Sequence, residues 1–301
     1  MSARNKPVLV KLKGGLGNQM FQFGVASIIA KENNSKVLVE DLFFQGNNGT
    51  LKKFPRQLDI RIFNGSLQIA TEKDINFFTQ LSYFNRLRKK LGMNYPYFFE
   101  ESSYKFSPKV LDLKPPVYLD GYFQSYKYFK GEEDRIRRLF SFPEEELGNN
   151  NEEIKRKILR KKSVSIHVRR GDYVENKKTQ EFHGNCTIDY YKEAIQYLSL
   201  GISDFQIIFF SDDISWVKER FKDVPNEKIF VQGNLYGESW KDMYLMSLCD
   251  ANIIANSSFS WWAAYLNNNP NKKIVAPIRW FADIEQENQA GDLIPPDWFR
   301  I

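Results

Sequence analysis

Residues 164–173 read Val164-Ser165-Ile166-His167-Val168-Arg169-Arg170-Gly171-Asp172-Tyr173, a strand-length stretch carrying Val164, Ile166 and Val168 that breaks off into two arginines, a glycine and an aspartate. A short stretch rich in Val and Ile, bounded by turn residues, marks a strand. The pattern repeats downstream: helix 188–198, strand 206–210, helix 214–221, strand 229–231, helix 240–248, strand 252–255, helix 259–266 and strand 274–275. Strict alternation of this kind predicts a parallel, doubly wound sheet, and such sheets bind ligands in the crevice at the carboxyl ends of their strands.

The residues that follow each strand therefore carry the functional reading. After 164–168 come Arg169, Arg170, Gly171 and Asp172; after 206–210 come Ser211, Asp212 and Asp213; after 252–255 come Asn256, Ser257, Ser258, Phe259, Ser260, Trp261 and Trp262. Two arginines beside a glycine suit a diphosphate, because guanidinium forks bind phosphate oxygens bidentately and glycine lets the backbone approach. Hydroxyls at a helix start add to the free N–H groups there to make an anion site. Paired aspartates can accept hydrogen bonds from a guanine edge or a ribose. Each cluster also has a plainer reading. The aspartates and serines could be helix caps, the arginines structural ion pairs, and His167 a core histidine. Neighbouring side chains in a loop diverge, so one arginine is expected to bind phosphate and the other to brace.

The amino-terminal half opens β-α-β: strand 8–10, then Phe21, Val25, Ile28 and Ile29 at helical spacing, then strand 37–39. Between the first two lies Lys13-Gly14-Gly15-Leu16-Gly17-Asn18-Gln19, which is neither a Walker loop nor the dinucleotide fingerprint. Glu40 and Asp41 after the second strand keep a Rossmann oxidoreductase acting on a nucleotide sugar with NAD(P) as a rival, against its glycine spacing. A helix over 75–91 is expected to turn Phe77, Phe78, Leu81, Phe84 and Leu87 toward the core. Strand 117–122 and helix 126–139 follow. The composition turns to Glu, Asn, Lys and Arg over 144–162, which places a domain boundary there. The expected domains are 1–150 and 151–285, with 286–301 a closing segment.

The chain has 301 residues, 42% of them hydrophobic and 27% charged, with a net charge of +6. No apolar run is long enough to span a bilayer, and the first residues lack a signal core, so a cytoplasmic protein is expected. The excess positive charge favours anionic partners. The basic runs 86–90 and 155–162 are solvated helix faces or contacts with an anionic membrane surface carrying lipid-linked substrate. Nucleic acid fits poorly, since no binding motif accompanies the charge. Cys186 and Cys249 read as buried thiols rather than a disulfide. With two histidines, His167 and His183, and no Asp-x-Asp motif, neither a metal ion nor a cofactor is expected.

Five segments together resemble the motifs of a known family: Gly14-Gly15-Leu16-Gly17-Asn18-Gln19-Met20-Phe21-Gln22, Gly121-Tyr122-Phe123-Gln124-Ser125, 167–173, Ser211-Asp212-Asp213 and 256–262. They are similar, in order and over nearly the whole chain, to those of the α-1,2-fucosyltransferases of glycosyltransferase family 11, of the bacterial type. The resemblance implies a GT-B-like α/β fold, two Rossmann-type domains facing a cleft, with GDP-fucose on the second domain and 286–301 packing back across both. It implies transfer of L-fucose with inversion to the 2-hydroxyl of a galactose-terminated, surface-polysaccharide acceptor, which lipid would carry. The donor-binding set would be His167, Arg169, Arg170, Asp212, Asp213, Asn256, Ser257 and Ser258. Within it Arg169 takes the β-phosphate, His167 with Asp212 or Asp213 the nucleoside, and the serines phosphate oxygens. Gly15, Asn18 and Gln19 would face the cleft near the transferred sugar. Arg169 and Asp172 are the catalytic candidates, Asp172 as general base. A fucosyltransferase with another acceptor is the nearer alternative, and region 42–104 is the expected source of acceptor choice.

Overall fold

The computed structural model describes residues 6–45, 56–63, 67–93, 95–171, 181–182 and 184–301. The chain divides into two compact units, Met1–Ser141 and Phe142–Ile301. The expected boundary at 150/151 falls inside a helix, Asn149–Arg160, that belongs to the second unit. Ile158 anchors that helix by burial, so the charged composition marks its solvent side rather than a linker.

The first unit runs β1 Val8–Lys11, α1 Leu16–Glu32, β2 Val37–Glu40, α2 Glu72–Thr79, α3 Tyr83–Lys90, β3 Tyr97–Glu100, β4 Val117–Asp120 and α4 Glu133–Leu139, with shorter turns between. Its sheet is parallel throughout, in the order β2-β1-β4-β3. Val8, Leu9 and Val10 are fully buried, and α1 is buried nearly all round. Gly24 is required on α1, because a Cβ there would lie 2.9 Å from the Phe129 ring.

Two expected helices are broken. Over 75–91 the chain forms two helices. A Thr71–Asp74 capping box starts α2, and the Ser82 hydroxyl accepts from Asn85 N at 3.2 Å to start α3 afresh. Of the five side chains expected in the core there, Phe78 alone is buried, while Phe84 and Leu87 are exposed. Over 126–139 a short 3-10 turn, Tyr126–Phe129, is separated from α4 by Gly131, whose φ of +84° ends helical geometry. Strand β3 was not anticipated; it lies at the sheet edge, with Tyr97 and Phe98 exposed although Tyr97-Phe98-Phe99 is an aromatic run.

The second unit runs α5 Asn149–Arg160, β5 Ser163–Val168, α6 Ile188–Ser199, β6 Gln206–Ser211, α7 Ile214–Arg220, β7 Lys228–Phe230, α8 Trp240–Ser247, β8 Ala251–Ile253, α9 Ser258–Leu266, β9 Lys273–Ala276 and β10 Phe299–Arg300. All strands pair in parallel, in the order β10-β9-β8-β5-β6-β7. All six residues of β5 are buried, Ser163, Ser165 and His167 among them. A core of Val164, Ile166, Leu198, Ile207, Phe209 and Ile253 packs α6 onto the sheet. The order grows outward from β5 to β6 on one side and from β8 to β9 on the other, so the switch point lies between β5 and β8.

Residues 286–301 complete this second unit. Trp261 Nε1 donates to Leu293 O at 2.9 Å, the Trp261 and Trp298 rings lie 5.5 Å apart, and β10 extends the sheet beside β9. Cys186 and Cys249 are free thiols, and burial pushes them up to about 11 and about 12. Among the described residues no helix is long and apolar enough to cross a membrane.

Candidate active site

The carboxyl ends of β5, β6 and β8 bring three polar clusters to one edge of the second sheet. Parallel pairing sets Val168 beside Ser211, so the segments after β5 and β6 start level. Arg169 reaches across to Asp212, with Nη1 and Oδ2 2.8 Å apart. The other oxygen of Asp212 accepts from Arg170 N at 2.9 Å. One carboxylate therefore fixes both the guanidinium of Arg169 and the backbone that follows it.

Arg170 turns the other way. Its Nε lies 3.2 Å from Asp213 Oδ2, and its guanidinium sits 4.0 Å from the centre of the Trp216 ring. Asp213 also caps α7, accepting from Trp216 N at 3.1 Å. Of the two adjacent arginines, then, Arg170 is held by a carboxylate and a stacked indole. The aspartates hold the arginines, where the sequence reading gave them the nucleoside. Trp216 was missed by that reading; the signal was its place three residues after a capping aspartate, which puts its ring over the loop.

His167 is buried near the end of β5, its ring 5.6 Å from that of Phe259. Its Nδ1 makes no hydrogen bond. Burial, with the Arg169 charge adding to it, lowers the imidazole to about 4, so the ring is neutral near pH 7. A neutral imidazole does not contribute a charge, and the unpartnered Nδ1 is itself shielded from solvent.

Beyond β8, Asn256 is buried, and its amide donates to Trp280 O at 3.1 Å and Gly184 O at 3.3 Å. It ties the loop down. Ser257 is the N-cap of α9, accepting from Phe259 N at 3.4 Å, and Ser257 and Ser258 stay partly open to solvent at the helix start. The capping role and the anion-binding role are compatible, since a helix N-terminus offers several free N–H groups. Asp172 and His183 lie outside the described residues. Among the described residues no group of three or more His, Cys, Asp or Glu side chains is placed to hold a metal ion.

In the first unit the glycine turn starts α1 at Gly15, and Asn18 Oδ1 accepts from Gln124 Nε2 at 2.8 Å. Gly14 has a φ of +81°, and a Cβ there would meet Asn18 Nδ2 at 2.5 Å. Gln19 is fully buried; it donates to Gly14 O at 3.1 Å and Gln57 O at 2.8 Å, and accepts from Ile60 N at 3.0 Å. It clamps the 57–60 segment to the glycine turn and has no polar atom left for a sugar. That segment carries Asp59, whose carboxyl burial pushes up to about 6 against the pull of Arg56. At the ends of β1 and β4, Lys11 and Lys13 grip Asp120 at 2.9 and 2.7 Å. Lys13 opens the glycine motif, but Lys11, Asp59 and Asp120 did not stand out in the sequence, because each becomes notable only once the fold sets it beside its partners.

The chain is 34% identical to the O-antigen biosynthesis glycosyltransferase WbnK of Escherichia coli, over 96% of this chain and 99% of that one. It is 32% identical to an alpha-1,2-colitosyltransferase of Escherichia coli, over 98% of each. It is 24% identical to a galactoside 2-alpha-L-fucosyltransferase of Caenorhabditis elegans, over 98% of this chain and 79% of that one. Among solved structures, Arabidopsis thaliana FUT1, as a mutant in complex with GDP, shares the fold with a TM-score of 0.52 at 14% identity, over 98% of this chain and 76% of that one. That likeness makes the architecture GT-B-like. The model of glycosyl transferase family 11 matches residues 2–301, and the chain belongs to that family.

Proposed function

We propose that the protein transfers L-fucose from GDP-fucose, with inversion and without a metal ion, to the 2-hydroxyl of a galactose-terminated acceptor in O-antigen assembly. The observation that carries this reading is Arg169, set by Asp212 across the carboxyl ends of β5 and β6, on the same edge as the partly exposed Ser257 and Ser258. A nucleoside diphosphate leaves with more negative charge than it brings, and a guanidinium fixed in advance stabilises that increase without reorganising. The family and the names of the full-length relatives support sugar transfer in O-antigen assembly. The galactoside acceptor and the α-1,2 linkage draw on the fucosyltransferase relative.

Within this reading His167 offers a neutral nitrogen toward the donor, and Arg170 braces. Asp172 is the proposed general base. The acceptor is lipid-carried, and the protein works at an anionic membrane surface. One observation favours a second donor: a relative matching end to end is named a colitosyltransferase. The test is incubation in EDTA with fucose and colitose nucleotides in parallel, over a panel of β-galactosides, with linkage assigned by NMR. An α-1,2-fucosylated product supports the proposal. Turnover with colitose alone, or with added divalent cation alone, overturns it.

A further inference from the structure

Helix α3 is built the wrong way round for a helix of a soluble domain. At 3.6 residues per turn, Tyr83, Phe84, Leu87 and Leu91 fall within an arc of about 100°. Such an arc normally faces the core. Here it faces water: Tyr83 is 84% exposed, Phe84 64%, Leu87 42% and Leu91 64%. The residues half-buried on this helix are Asn85 and Arg88, and none of its side chains is fully buried. Met93, just beyond, is also exposed.

The charge on the helix is one-sided. Arg86, Arg88, Lys89 and Lys90 are all cationic, and the helix carries no acidic residue. On the helical wheel Arg86 and Lys90 flank one side of the apolar arc and Arg88 flanks the other, its guanidinium 5.5 Å from the Phe84 ring centre. Aromatic and aliphatic side chains between two borders of Lys and Arg define a helix that lies in a bilayer interface, with its apolar side in the acyl boundary and its cations at the head groups. A second copy of this chain fits less well. Two-fold pairing sets the same patch against itself, and four cations would then meet four cations.

We propose that α3, with Leu91, docks this protein on an anionic lipid bilayer. The inference names the surface for the membrane contact in the functional reading above, and it requires nothing of the donor site. An eight-residue helix buries only a few side chains, so the contact is reversible and salt-sensitive, set by apolar burial and cation attraction together.

The test is co-sedimentation of the full chain with vesicles of phosphatidylcholine alone and of equimolar phosphatidylcholine and phosphatidylglycerol. Two variants accompany it: Phe84→Glu with Leu87→Glu, and the fourfold change Arg86→Gln, Arg88→Gln, Lys89→Gln and Lys90→Gln. The wild type is expected to bind the anionic vesicles and not the neutral ones, and to release as salt rises. Each variant is expected to bind them more weakly by about tenfold or more. Both variants should keep the wild-type melting temperature, since the changed side chains do not form the core. Equal vesicle binding by wild type and variants, or no binding by any, overturns the proposal. So does a wild-type dimer that the Phe84 and Leu87 changes dissociate while vesicle binding is absent, which would assign the face to a second copy. Vesicle binding without any sugar transfer would instead contradict the catalytic reading and leave the docking intact.

Discussion

The guanidinium of Arg169 and the carboxylate of Asp212 stand 2.8 Å apart at the carboxyl edge of the second sheet, with both side chains largely withdrawn from solvent. An arginine so held is fixed in place and partly neutralised, and a diphosphate that displaces Asp212 inherits a guanidinium already aimed. Asp212→Asn keeps an oxygen for Arg170 N and removes only the charge. We expect GDP affinity by calorimetry to hold or rise while kcat falls by about tenfold, because positioning is lost and competition is relieved. A parallel loss of affinity and kcat would give Asp212 a direct contact with the nucleotide instead.

His167 sets an acid limit on stability. Its folded-state value of about 4 lies below the ordinary histidine value of about 6.5. Its contribution is therefore complete above pH 6.5 and is lost as pH falls toward 4, where the unfolded chain binds a proton that the folded chain refuses. His167→Gln should flatten the fall of Tm over that window. Superimposable Tm profiles for the two proteins would contradict the buried neutral ring.

Gln19 should behave as structure. Gln19→Ala strands Gly14 O, Gln57 O and Ile60 N, and is expected to cost about 1–3 kcal/mol in stability. GDP affinity should not move, since the donor residues lie in the other unit. Unchanged melting with a raised acceptor KM would return Gln19 to the substrate.

Asp59 works in the opposite sense to a salt-bridged carboxylate. Burial raises it from 3.8 to about 6, so its charged form costs stability, increasingly as pH rises between those values and fully above them. Asp59→Asn should raise Tm at pH 7 and leave it unchanged near pH 4. A lower Tm at pH 7 would show that Arg56 more than repays the burial.

Much of this fold could be read from the chain, and the reasons are local. The central strands of the second unit are buried on both faces, so Ile207 to Phe210 appears as an unbroken apolar run and Val164, Ile166 and Val168 mark a strand, each closed by polar residues. The failures cluster where the pattern is one-sided or reversed. Tyr97–Glu100 is an edge strand. Helix α3 turns its apolar arc outward, so its periodicity correctly signalled a helix and wrongly signalled a core. The site was legible as a set of strand ends, because topology places them together whatever their contacts. Individual roles were not, since whether Asp212 meets a ribose or an arginine depends on a distance that only the folded register sets. Asn256 and Gln19 sit within motifs yet spend their amides on backbone, and no composition rule separates a motif residue that binds from one that holds.

The central claim is that Arg169, with no inorganic ion, stabilises the departing diphosphate. It is tested most directly by the rate of fucose transfer in EDTA for the wild type and for Arg169→Ala, each shown to be folded by its melting curve. The account predicts an active wild type and a kcat lower by about 10²–10³ in the variant. Equal rates for the two proteins, or a wild type silenced by EDTA, would contradict it.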